Sequence, residues 1–372
     1  MDTQKLDLLT NIFNTSHLDE QVLSRETGYP PSQIRKLVAE LIQEGVLRKN
    51  NTLESRAIWE LKRLKRASKE DFAGNLEILT LIAGIFDIGR EDIKNIEPME
   101  KGMTNYSFKF QVNGDTYIMR VPGLGTDEMV SRRNEYNVYK ALEGRNLTDD
   151  VVYINPKTGY KVTRFIRDTK TCDPRNVDDV RLCMDKLKEL HSAKLRVDHE
   201  FDIFKKIEYY ESLRNGESSI YPDYDGTKRN IYKLKGYIDS LPKKYILTHV
   251  DSVSDNFLIT GGDVRLIDWE YSGMQDPNLD IAMFSIYASY GKKEVDNLIN
   301  IYFPDGCKES KRIKIYAYIS IGGFLWSNWC EYKRVLGVDF GDYADEQYDY
   351  AKEFYKIAKG EIESLEGNAY EE

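Results

Sequence analysis

His249-Val250-Asp251-Ser252-Val253-Ser254-Asp255-Asn256 is followed by Phe257-Leu258-Ile259-Thr260, a Gly261-Gly262-Asp263 turn and Val264-Arg265-Leu266-Ile267-Asp268, and the rest of the chain is arranged around this run. Apolar stretches on both sides of paired glycines predict a β-hairpin, because glycine supplies the positive φ angles that a tight turn needs. With the turn over residues 261 to 263, Thr260 faces Val264. Counting outward then sets Asn256 opposite Asp268, with β-carbons about 5 Å apart. An amide oxygen and a carboxylate at that separation suit one magnesium ion, which takes one or two protein oxygens alongside phosphate oxygens and water. The run therefore predicts a phosphoryl-transfer site.

The spacing sharpens this reading. Asp251 precedes Asn256 by the interval of the kinase catalytic loop H-R-D-x-x-x-x-N, in which the Asp orients and deprotonates the acceptor hydroxyl and the Asn holds a metal. Asp268 then takes the place of the DFG aspartate. A hairpin with ordinary polar ends is the plainer reading of His-x-Asp alone, but three parts in register favour the site. From His249 to Asp280, including Asp268-Trp269-Glu270-Tyr271 and Asp280-Ile281-Ala282, the chain resembles the choline/ethanolamine kinase branch of the aminoglycoside-phosphotransferase-like family. It departs from protein kinases: Val250 stands where they carry Arg, Trp269-Glu270 replaces Phe-Gly, and no Ala-Pro-Glu segment follows. The resemblance implies an α+β, bilobal protein-kinase-like fold, with a small antiparallel β lobe, a mainly helical C-lobe and ATP between them.

Length and composition are compatible with that. A chain of 372 residues with 41% hydrophobic content can bury more than one core. No stretch reaches the roughly 20 apolar residues needed to span a bilayer, and the first residues lack a signal-peptide pattern, so a soluble cytoplasmic enzyme without membrane attachment is expected. Cys172, Cys183, Cys307 and Cys330 are scattered without metal-ligand spacing, as are His17, His191, His199 and His249, so neither disulfides nor zinc are expected. A net charge of -9 argues against the whole chain binding nucleic acid, yet residues 1 to 66 hold 11 Lys and Arg against nine Asp and Glu.

That first segment reads as a winged helix-turn-helix domain, residues 1 to 66. Helices are predicted over residues 4 to 14 and 18 to 26, and a third starts at Pro30-Pro31-Ser32 and closes at Gly45. Strand-like Val46-Leu47-Arg48 and Ala57-Ile58-Trp59-Glu60-Leu61 would form the wing. Gln33, Arg35 and Lys36 on the third helix, with the basic run from Lys62 to Lys69, are candidate DNA contacts. A packing role or a homodimer through the same domain is the alternative.

The kinase-like lobes are expected at residues 67 to 168 and 169 to 372. A buried helix over residues 75 to 86 leads to Lys101-Gly102-Met103-Thr104-Asn105-Tyr106-Ser107, between strand-like stretches. Thr104 and Asn105 can donate to phosphate oxygens, although ordinary turns use the same residues. Choline kinases carry a similar Gly-x-Met-[Ser/Thr]-Asn loop here. In the strand Tyr117 to Val121, Arg120 matches the kinase β3 lysine and Glu135 its helical partner, and a guanidinium can clamp phosphates bidentately. By resemblance, the strand holding Thr163, Phe165 and Ile166 links the lobes and meets adenine. Also by resemblance, His191 is structural and Asp280 braces the catalytic loop through backbone hydrogen bonds.

An acceptor pocket is expected from Phe324-Leu325-Trp326-Ser327-Asn328-Trp329-Cys330 and Val338-Asp339-Phe340-Gly341-Asp342-Tyr343-Ala344. Trp326 and Trp329 lie three apart, on one helical face. Two such residues are more often core, but ring faces attract cations, and a quaternary ammonium cannot donate a hydrogen bond. The run resembles segments whose aromatics surround the trimethylammonium group in choline kinases, which implies a cage of Trp326, Trp329 and Tyr343, with Tyr271 as a further wall. The Phe-Gly-x-x-x-Tyr segment is shortened here to Phe340-Gly341-Asp342-Tyr343, and a family pocket glutamate falls on Tyr287. Losing a carboxylate while keeping rings favours choline over ethanolamine. The expected activity is ATP- and magnesium-dependent phosphorylation of choline, with Asp251 as base; the alternatives are an ethanolamine or aminoglycoside kinase, or a ligand-sensing transcription regulator.

Overall fold

The computed structural model describes residues 8, 20–43, 76–99, 105–123, 126, 129–214, 216–335 and 340–369. Two compact units divide the chain, one of Met1–Asn75 with Cys330–Phe340 and the other of Leu76–Trp329 with Gly341–Glu372.

In the first unit, helix α1 (Glu20–Thr27) and helix α2 (Pro31–Gln43) follow one another across a short turn. Ser24 donates its hydroxyl to the Tyr29 carbonyl at 2.7 Å, and the Gly28 amide donates back to Ser24, so the polar backbone at the turn is satisfied. Leu23, Ile34, Leu37 and Leu41 are buried, as the apolar stripe requires, while Arg35 and Lys36 are exposed. The expected helix over residues 4 to 14, of which only Leu8 is described, and the two wing strands lie outside the described residues.

The second unit begins with α3 (Leu76–Phe86), then β1 (Lys94–Met99), β2 (Asn105–Val112) and β3 (Asp115–Pro122). Helix α4 (Arg132–Leu142) precedes β4 (Val151–Ile154) and β5 (Lys161–Arg164). These strands form an antiparallel sheet in the order β1-β2-β3-β5-β4. Alternation along β2 buries Phe108, Phe110 and Val112 on one face, where Phe86 of α3 meets Phe110 and Tyr117 with ring centroids 6.0 and 4.6 Å apart. The Ser131 hydroxyl caps α4 by accepting from the Asn134 amide.

The remainder is mainly helical. It comprises β6 (Lys170–Thr171), α5 (Val177–Ser192), α6 (Ile203–Ser212) and α7 (Tyr224–Ser240). Next come β7 (Ile246–Thr248), β8 (Phe257–Thr260), β9 (Asp263–Leu266) and β10 (Gly273–Gln275). Helices α8 (Asn278–Tyr287), α9 (Lys292–Tyr302), α10 (Glu309–Val335) and α11 (Asp342–Ala369) complete the chain. β10 pairs with β7, and β6, β8 and β9 make a small sheet, so the segment from residue 249 to residue 256 is anchored at both ends.

One expectation is corrected here. The hairpin pairs Phe257 with Leu266 and Thr260 with Asp263, one residue out of the anticipated register. Gly261 and Gly262, with φ of 55° and 86°, form a two-residue turn that leaves Asp263 as the first ladder residue. Asn256 is consequently opposite Ile267, whose amide donates to the Asn256 carbonyl at 2.9 Å, rather than opposite Asp268.

Candidate active site

The loop from β7 to β8 is held by one buried carboxylate. Asp280, in the first turn of α8, accepts the His249 amide at 3.0 Å and the Val250 amide at 2.7 Å, and its carbonyl accepts the Ser252 hydroxyl. His191 of α5 reaches the same carboxylate through Nε2 at 2.9 Å, with Nδ1 on the Tyr302 hydroxyl, so the expected structural role for His191 and bracing role for Asp280 describe these bonds. This bracing holds Val250, a β-branched residue, at φ 70°, a conformation it would not choose alone.

That kink turns Asp251 toward a cavity of about 550 Å³ within the second unit. Asn256 donates its side-chain N–H to the Asp251 carbonyl at 2.8 Å and carboxylate at 3.3 Å, which leaves the amide oxygen for another ligand. Burial first, then the charges of Asp268 and Glu270, push the Asp251 carboxyl up to about 8. Asp268 leaves β9 with φ 66° and lines the same cavity. The one-residue shift of register therefore changes the route, not the outcome: Asn256 and Asp268 both reach one space.

Arg120 of β3 is 6% exposed and lies 2.7 Å from the Glu135 carboxylate on α4 and 3.4 Å from Asp268. Burial alone would raise Glu135, but Arg120, Lys161 and Arg132 hold it below the usual carboxylate range. Asn105 lines the cavity and donates to Glu270 at 3.1 Å; Thr104 lies outside the described residues. Thr163, Phe165 and Ile166 line the cavity as well, and the Phe165 amide is taken up by the Thr116 carbonyl at 2.9 Å.

Aromatic rings cluster along the same cavity. Tyr271 meets Trp326 edge to face at 5.5 Å, Trp326 meets Trp329 at 6.3 Å, and Tyr287 lies 6.3 Å from Trp326 and 6.0 Å from Tyr343. Tyr271, Tyr287, Trp326 and Trp329 line the same cavity as Asp251, while Tyr343 backs Tyr287. Burial pushes the phenols of Tyr271 and Tyr287 well above their ordinary value, so both rings stay neutral.

Sequence reasoning missed four residues of this site. Glu270 is buried beside Arg120 at 3.7 Å and Arg132 at 3.6 Å, and burial with the charge of Asp268 pushes it up to about 7. Its place two residues after Asp268 was the available signal. Lys161 shares a strand face with Thr163, which alternation along β5 could have shown. Tyr287 was noticed as a lost carboxylate, not as a ring. Arg132 carried no local signal.

The model of the choline/ethanolamine kinase family matches residues 96–299, more than half of the chain. Two LicA proteins of Haemophilus influenzae are each 27% identical over 267 and 266 residues, covering 67% of this chain and 77% and 97% of their own length. The crystal structure of choline kinase LicA from Streptococcus pneumoniae superposes with a TM-score of 0.66 at 25% identity, covering 75% of this chain and 98% of that one. A structure of LicA in complex with AMP gives 0.65 at 26% identity, with 76% and 98% covered. The sheet lobe, the helical lobe and the motifs they carry thus have one common explanation: the chain belongs to the choline/ethanolamine kinase family.

Proposed function

We propose that this chain is a choline kinase, which transfers the γ-phosphoryl group of ATP to the hydroxyl of choline. The observation that carries this reading is that Asp251, Asn256 and Asp268 line one cavity together with a cluster of rings. Asp251 accepts the hydroxyl proton as the choline oxygen bonds to the γ-phosphorus. The bond from that phosphorus to the β–γ bridging oxygen breaks and ADP leaves with the electron pair. Burial and the charges of Asp268 and Glu270 make the Asp251 carboxylate a stronger base than an ordinary aspartate, and a cation that relieved this crowding would let it ionise near neutral pH. Arg120, fixed by Glu135, steadies the nucleotide phosphates, and Thr163, Phe165 and Ile166 flank the adenine. The ring faces of Tyr271, Tyr287, Trp326 and Trp329 attract the trimethylammonium group. The name of the Streptococcus pneumoniae relative, a choline kinase, supports this choice of acceptor.

Asn256 and Asp268 fit magnesium: two protein oxygens are what this ion takes beside phosphates and water. The crowding of Asp251, Asp268 and Glu270, which raises two of these carboxyls, is also what a divalent cation would relieve. When bound, magnesium would neutralise phosphate charge and orient the γ-phosphoryl group. A coupled ATPase assay with choline and ethanolamine side by side tests the reading, with ATP turnover expected on choline; turnover on ethanolamine alone would overturn it.

For the first unit we infer a DNA-binding helix-turn-helix, since α2 exposes Arg35 and Lys36 and follows α1 across a tight turn. A choline-responsive electrophoretic shift of the DNA upstream of its own coding sequence tests this; no shift at low salt would remove it. No described helix is long and apolar enough to cross a membrane.

A further inference from the structure

Arg120 and Lys161 face each other directly across β3 and β5. Two cations opposite one another on neighbouring strands repel, so the arrangement persists only if each charge is used. Arg120 uses its own on Glu135 of α4. Lys161, 6% exposed, donates its ammonium N–H to the Tyr139 hydroxyl and lies 4.4 Å from the centre of that ring. Tyr139 is one helical turn beyond Glu135, so the same face of α4 is tied twice to the sheet, once from each strand. Burial first, then the charges of Asp149 and Glu135, keep the Tyr139 phenol neutral and able to accept. Among the described residues no carboxylate lies within ion-pair distance of the Lys161 ammonium. A buried cation needs an anion, and the charge Lys161 acts on is that of Glu135, whose ionised form it favours.

We propose that Lys161 is a positioning residue for the nucleotide: through Tyr139 and Glu135 it holds α4 where Glu135 can fix the Arg120 guanidinium. The inference rests on reading this cavity as the ATP site. Lys161 also lines the cavity, and the effect proposed for it runs through the helix and not through direct contact with phosphate.

The test measures MgATP and adenosine affinity, and the steady-state constants for ATP and choline, on full-length chains. Lys161→Met is expected to weaken MgATP binding and raise the KM for ATP on the order of tenfold, as a small displacement of a phosphate clamp should. The KM for choline and the affinity for adenosine stay unchanged, and Lys161→Arg recovers most of the loss. Tyr139→Phe, which removes only a hydroxyl, shifts the KM for ATP in the same direction. In a Glu135→Gln background Lys161→Met adds nothing further, because the route through Glu135 is already broken. Multiplying effects in the double variant, an equal loss of adenosine affinity, or an unchanged KM for ATP in Lys161→Met would each overturn the proposal. Failure of the unaltered chain to bind MgATP is a different result, and counts against the ATP site itself.

Discussion

Asp251 is asked to be both a base and a member of a crowded acidic group, and the two demands oppose each other. In the folded chain it keeps its proton up to about 8, whereas an ordinary aspartate releases it near 3.8. Between those values the folded state binds more protons than the unfolded one, so stability falls as the pH rises through that window. Asp251→Asn removes the carboxyl that titrates. With EDTA present at about pH 8, this variant is expected to melt higher by about 2 °C or more in a thermal scan. It should also lose roughly a hundredfold or more in turnover, the usual contribution of a general base. A lower melting temperature, or turnover close to that of the unaltered chain, would contradict the assignment. That Asp251 belongs to the cavity with Asn256 and Asp268 was legible, because its spacing to Asn256 is a property of the chain alone. Glu270 was not, because what makes it unusual is burial against Arg120 and Arg132, which come from β3 and α4, far away in sequence.

At the scale of elements, the hairpin of β8 and β9 and the start of α8 carry the site. The hairpin itself was readable from its glycines, but its register was not. A two-residue and a three-residue turn differ by one pairing, and the choice depends on both glycines adopting positive φ. Gly262→Val should therefore cost about 1–2 kcal/mol, read as a lower denaturation midpoint in urea, since a side chain is disfavoured in that region. An unchanged midpoint would mean that the turn is not the one described. The Asp280 brace has a larger effect. Asp280→Ala leaves the His249 and Val250 amides without their buried acceptor, and a loss of about 2–5 kcal/mol is expected. The milder Asp280→Asn retains one acceptor oxygen and should lower kcat more than it raises the KM for choline, because it loosens the loop and not the rings.

At the scale of the whole molecule, a tetra-anionic nucleotide must enter a chain of net charge -9, into a cavity that already holds Asp251, Asp268 and Glu270. The composition correctly warned of an acidic protein, but it could not show that Arg120 and Lys161 both line the cavity, with Arg132 paired to Glu135 and Glu270 beside them. That arrangement depends on strand pairing and on the packing of α4. Of the buried cations, Arg120 and Arg132 are shared with Glu135 and Glu270, which limits what they can offer to phosphate. On the proposed reading protein cations alone would not offset the repulsion between phosphates and carboxylates, and a metal ion held by Asn256 and Asp268 would supply the missing positive charge. Calorimetric titration of ATP should accordingly weaken by about tenfold or more when magnesium is replaced by EDTA, a difference of about 1.4 kcal/mol or greater. Adenosine, which carries no phosphate, should bind equally well in both conditions. If adenosine also lost affinity, the metal would be supporting the fold and not the phosphates. If ATP bound equally well without metal, Asn256 and Asp268 would not be its ligands, and the phosphate charge would have to be met by the cations of β3, β5 and α4.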